Sequence, residues 1–167
     1  MPLRHTVYCK QSITGVTPEI LLKHLESLDF WTLGEDYSMS EDDVEASLPL
    51  RINNVSAEQC FRYHLYYGKA DKRPIEMDRW ETEDQRRGDV DEAIDNLTIQ
   101  DAARVEKISE FLGNSVDSVS ISFGVDPPAA MFAWEIVRFF ASRFAGIVHA
   151  DDGEWLTIGP DYQPKLI

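Results

Sequence analysis

The 167-residue sequence predicts an α+β fold: a two-layer sandwich in which a mostly antiparallel sheet carries helices on one face. Three observations predict it. Phe61, Tyr63, Leu65 and Tyr67 alternate with polar residues, as do Val119, Ile121, Phe123 and Val125, the period-2 signature of strands. A helix opened by Asp126-Pro127-Pro128 carries Met131, Phe132, Trp134, Ile136, Val137, Phe139, Phe140 and Phe144. The order β-α-β-β is read at both ends of the chain, which suggests a pseudo-duplicated pair of units.

Taken in order, Thr6-Val7-Tyr8-Cys9 reads as a strand. Thr17-Pro18-Glu19 then starts a helix, with a cap, a first-turn proline and an acid at the positive dipole end. Ile20, Leu21, Leu25 and Leu28 form its apolar stripe over 18–29. An acidic loop spans 35–45. Val44, Ala46, Leu48, Leu50 and Ile52 then alternate as a strand, which Pro49 assigns to a sheet edge or a bulge. Residues 68–88, with Gly68, Pro74 and Gly88 among charges, read as a surface excursion. Asp89 is the expected cap of a short helix bearing Val90, Ala93, Ile94 and Leu97, and Asp101 that of a second ending at Gly113. Val119–Val125 is expected to have one polar face of serines. Residues 146–150 and 154–158 form a hairpin about Asp151-Asp152-Gly153. The chain is long enough for one core, so a single domain 1–167 is expected. It divides into a first unit 1–67, an acidic excursion with helices 68–113, a second unit 114–158 and a tail 159–167.

Charge bounds the function. The formal net charge is -14. Glu35, Asp36, Glu41, Asp42, Asp43 and Glu45 carry part of it. A second cluster within 76–95 holds Glu76, Asp78, Glu81, Glu83, Asp84, Asp89, Asp91, Glu92 and Asp95 against three arginines. Such segregation repels nucleic acid and anionic membrane and attracts a basic partner. Solvated surface is the competing explanation. The second cluster interleaves apolar groups with its acids, as a binding hot spot does. The candidate partner surface is therefore Glu35, Asp36, Glu41, Asp42 and Asp43 together with Asp78, Glu81, Glu83 and Asp84, with Met77 and Trp80 as apolar anchors.

Chemistry is less visible. His149, Asp151, Asp152 and Glu154 are the one ligand-like cluster, but strand alternation separates them and Asp-Asp-Gly is a favoured turn. Cys60 and His64 share a strand face about 13 Å apart, too far to hydrogen-bond. A Cys9–His64 pair across strands stays open. There is no HExxH, GxSxG or phosphate-binding glycine loop. No catalytic residue, metal or cofactor is expected. Arg4, His5 and Lys10 interrupt the first ten residues, and Glu135, Arg138 and Arg143 interrupt the apolar run 129–145, so neither a leader nor a membrane span is expected. Cys9 and Cys60 read as reduced core thiols of a cytoplasmic protein, with a disulfide as the alternative.

With its acidity, its α+β pattern and the strand–turn–strand Ala145-Gly146-Ile147-Val148-His149-Ala150-Asp151-Asp152-Gly153-Glu154-Trp155, the chain resembles small immunity proteins of bacterial toxin systems. That resemblance implies a stoichiometric inhibitor that occludes a cognate toxin, a basic protein, with electrostatic steering speeding capture. Two alternatives come from other classes. One is a small-molecule-binding or enzymatic domain with a pocket between the aromatic helix and the sheet. The other is an acidic adaptor for some other basic protein.

Overall fold

The structure, a computed structural model, describes residues 1–56, 61–69 and 72–167. Its strands form one 8-stranded sheet in the order β2-β3-β4-β5-β1-β6-β7-β8, every neighbouring pair antiparallel. At the centre, β1 (Leu3–Cys9) pairs with β5 (Asp117–Phe123), placing Val7 opposite Val119 and His5 opposite Ile121. Each central strand leads into helices and then into three strands. After β1 come α1 (Pro18–Glu26), α2 (Phe30–Glu35) and α3 (Glu41–Ala46), then β2 (Leu50–Asn54), β3 (Arg62–Tyr67) and β4 (Ile75–Asp78). After β5 come α6 (Pro127–Arg143), then β6 (Gly146–His149), β7 (Trp155–Ile158) and β8 (Pro164–Leu166). The recurring order expected from the sequence is present, with one more strand at each end. The first trio runs inward from an edge to β5, whereas the second runs outward from β1.

The predicted helices form where their signals are. Thr17 caps α1 by accepting the Ile20 N–H, and Pro18 occupies the first turn. Leu21 and Leu25 are buried, while Ile20 stays on the outside at 44% exposure. In α6, Phe132, Phe139 and Phe140 are fully buried and Trp134 is partly so, packed on β1, β5 and β6. Asp126 begins α6 without capping it. Its carboxylate instead accepts the Tyr67 hydroxyl at 2.9 Å, tying the helix to β3.

The sheet's second face is also covered at its centre. The hairpin of α4 (Glu83–Asp95) and α5 (Ala102–Gly113) packs Val90, Ile108 and Leu112 against Tyr8, Ile147 and Trp155. Because Val7 and Tyr8 point to opposite faces, this second apolar cluster lies across the sheet from the α6 core. Ser118 and Ser122, expected on an open polar face, are accordingly buried.

Several expectations are corrected. The acidic loop 35–45 is helical at both ends: Glu35 closes α2, and Ser40 opens α3 through a capping box with Asp43. That box, with three acids in the first turn, overrides the period-2 pattern from Val44, so the strand begins only at Leu50. Pro49 does precede an edge strand. The excursion 68–88 contains β4, an interior strand with Ile75 and Met77 wholly buried. The short helix expected to start at Asp89 starts instead after Thr82, which accepts the Gln85 N–H. The tail 159–167 adds β8 at the other edge.

Candidate functional site

A concavity lies between α4 and the polar face of the sheet, a cleft of ≈ 430 Å³. Its walls follow from two periodicities. On β1, Arg4, Thr6 and Tyr8 share one face, and their partners Ser120 and Ser118 on β5 share it too. On α4 and its C-cap, Asp89, Glu92, Ala93 and Asn96 recur at three- and four-residue spacing and overhang it. Aromatic rings close one end. Tyr8 lies 5.9 Å from Trp80 and 5.8 Å from Trp155, and His149 stacks on Trp155 at 4.3 Å. Trp80 Nε1–H donates to Asp89 at 2.7 Å and fixes that carboxylate over the cleft. Burial, reinforced by Asp89 and Glu92, pushes the Tyr8 hydroxyl up to about 12. Burial lowers His149, which is therefore neutral near pH 7.

The proposed partner surface is only partly brought together. Glu35, Asp36, Glu41, Asp42 and Asp43 are exposed on α2 and α3, which pack on the α6 side through Phe30 and Val44. Glu83 and Asp84 are exposed on α4, across the sheet. The two acidic segments thus form two surfaces and not one. Met77 is 0% exposed and Trp80 7%, so neither can anchor a partner; both hold up the sheet and the α4 hairpin. Several of the acids are already engaged within the chain. Asp78 pairs with Arg62 at 2.8 Å, with Glu81 at 3.9 Å from the same guanidinium. Glu83 bonds Arg86 and approaches Arg87, which hold its carboxyl down to about 2. Asp43 spends its carboxylate on the capping box.

The acids without an ion pair among the described residues include Glu35, Asp36, Glu41, Asp42 and Glu45 on one side. On the other they include Asp84, Asp91, Glu92 and Asp95. Asp84, Asp91 and Asp95 stand at spacings of seven and four, so they line the face of α4 turned away from the cleft.

The remaining candidates separate. His149 faces the cleft, Asp152 accepts the Glu154 N–H within the turn, and the Asp151 N–H donates to His5 Nδ1 at 3.2 Å. Among the described residues no trio of His, Cys, Asp or Glu is placed to hold a metal ion. Cys9 sits in the α6-side core, where burial pushes its thiol up to about 12, while His64 lies on the opposite face, so the two do not pair. Cys60 lies outside the described residues. Along its middle, the space between α6 and the sheet, where a pocket was expected, is filled by Phe132, Phe139 and Phe140. A cavity of ≈ 620 Å³ lies at the C-terminal end of α6, lined by Ala141, Ser142, Gly146, Ile147 and Thr157.

One buried charge escaped sequence reasoning. Asp117, 1% exposed, pairs with Arg79 at 2.8 Å and accepts N–H groups from Ile13 and Ser118. Ser-rich flanks and a nearby asparagine gave no signal for this clamp. The cleft was equally hidden, because its residues come from five elements. Among the described residues no helix is long and apolar enough to cross a membrane. No protein-family model, curated protein or solved structure matches the chain.

Proposed function

We propose that this protein is a non-enzymatic binder of a basic protein, and that it acts as an immunity protein, neutralising a cognate toxin by covering its active or substrate-binding site. The observation that carries this reading is the placement of acids on α4. Glu83 and Asp84 stand in the first turn, where the helix dipole favours them. Asp91, Glu92 and Asp95 stand in the second half, with no base in the last turn. There the dipole disfavours negative charge, and helix stability gives no reason for it. Carboxylates kept against local stability, exposed and without an ion pair among the described residues, are suited to meet positive charge on another molecule. The Glu35–Asp36 pair at the end of α2 supports the same reading for the opposite side.

The anchors differ from those the sequence suggested. With Met77 and Trp80 buried, the contact surface is the outer row Asp84, Asp91 and Asp95, with Glu41, Asp42 and Glu45 as a second, separate area. Co-expression with the product of the adjacent gene tests the proposal. Growth arrest by that product alone, relieved by this chain through a stoichiometric complex, is the expected result. A harmless neighbour that nonetheless binds would favour the adaptor reading, and a neighbour that neither harms nor binds would remove the immunity reading.

A further inference from the structure

The cleft beneath α4 contains two hydroxyl groups that the fold does not use. Tyr8 and Ser118 are direct partners in the β1–β5 register and sit side by side on its floor. They are 7% and 3% exposed, yet neither hydroxyl has a hydrogen-bond partner among the described residues. Both side chains line the cleft, and neither oxygen is among the wholly buried polar atoms left without a partner, so both reach the cleft's interior and are free to accept from a ligand. Above them stand Asp89 and Glu92, one turn apart. Asp89 is held by the Trp80 indole through one oxygen, Oδ2, and its Oδ1 has no partner among the described residues. Arg4, the cleft's one permanent cation, lies four strand positions from Tyr8, about 13 Å away. Among the described residues no ion pair joins it to Asp89 or Glu92.

We infer that this end of the cleft receives the guanidinium group of an arginine side chain carried by the basic partner. The inference rests on the reading that the partner is a basic protein, and it names the contact. A guanidinium is a flat group with five donors and no acceptor. The cleft end offers the complementary set: two carboxylates and two hydroxyls that can accept, beside the rings of Tyr8, Trp80 and Trp155. An ammonium, a compact point charge with three donors, matches fewer of these groups. A volume of ≈ 430 Å³ admits a side chain and not a helix.

The probe is N-acetyl-arginine amide, which carries the side chain without free termini, titrated into the full chain while the two indole N–H resonances of Trp80 and Trp155 are followed by NMR. Saturable shifts of both are expected, with n-butylamine binding more weakly. The double variant Asp89→Asn, Glu92→Gln should weaken binding at least about tenfold. Tyr8→Phe, which removes only the hydroxyl, should weaken it about threefold. Asp84→Asn with Asp91→Asn, outside the cleft, should leave it within about twofold. Unmoved indole resonances at tens of millimolar probe, or equal weakening by the outer pair, would overturn the assignment. So would free arginine binding tenfold more tightly than the capped form, because Arg4 would then be holding a carboxylate and the ligand would be an amino acid. Toxin rescue with silent indoles would remove the cleft assignment alone. Arginine binding without rescue would remove the immunity reading and leave the cleft's chemistry standing.

Discussion

His5 shows how far burial governs single groups in this protein. It is 1% exposed, between Phe123 and Trp134, and its Nδ1 accepts the Asp151 N–H. Burial lowers its pKa to about 4, against the opposing pull of Asp151 and Asp152. The folded chain therefore holds it neutral, while the unfolded chain binds a proton below about 6.5. Its stabilising contribution is complete above pH 6.5 and is lost as pH falls towards 4, about 3 kcal/mol in all. Denaturant midpoints across that window should fall for the wild type and fall less for His5→Phe. Asp117 is the second decisive residue. Asp117→Asn leaves Arg79 without its carboxylate and should cost about 3 kcal/mol or more. An apolar counterpart is Phe140, fully buried against Phe61, Phe139 and Phe144. Phe140→Ala should cost about 3–5 kcal/mol. A loss below about 1 kcal/mol in either variant would mean the site is looser than described. Phe140 was legible from helical periodicity alone. Asp117 and His5 were not, because their importance comes from partners 38 and 146 positions away.

Among the elements, α4 is the least secured by local sequence. Only Val90 is buried along it, Gly88 stands at its middle, and acids occupy its C-terminal half. A Cβ added at Gly88 meets nothing within 4 Å. Gly88→Ala should therefore stabilise the protein by about 0.5–1 kcal/mol through helix propensity. Asp91→Asn and Asp95→Asn should raise the thermal midpoint slightly while weakening partner capture, the signature of charge kept for binding. A drop in the midpoint would instead assign those acids a structural role. The helices α1, α5 and α6 could be read in advance because Thr17 and Asp101 cap the first two and a first-turn proline pair with a dense apolar stripe marks the third. The start of α4 had a signal, Thr82 three residues before Gln85, but the surrounding charge made the segment read as loop. β4 was hidden for the same reason: Ile75 and Met77 are its only apolar residues, flanked by Glu76 and Asp78, yet the sheet buries both. In α3 two patterns competed, and the Ser40–Asp43 capping box outweighed alternation.

For the molecule as a whole, sequence pattern was enough for the fold class, since alternating strands and a broad aromatic helix require an antiparallel sheet with a helical layer. The order of strands was not legible, and with it went the site. Only the pairing of β4 with β5, and the α4–α5 hairpin on the second face, decide that the acidic segments lie on opposite sides. They also decide that Trp80 faces inward. The charge of -14 was visible at once, but which carboxylates remain unpaired depends on Arg62, Arg86 and Arg87 reaching particular neighbours. Association kinetics with the basic partner, followed by stopped flow over a range of salt, test the binding proposal most directly. The wild-type rate constant should fall steeply with salt, and reversal of Asp84, Asp91 and Asp95 to Lys should slow capture several-fold at low salt while leaving folding intact. An association rate unchanged by that reversal, and by reversal of Glu41, Asp42 and Glu45, at every salt concentration would show that both acidic surfaces serve solvation alone.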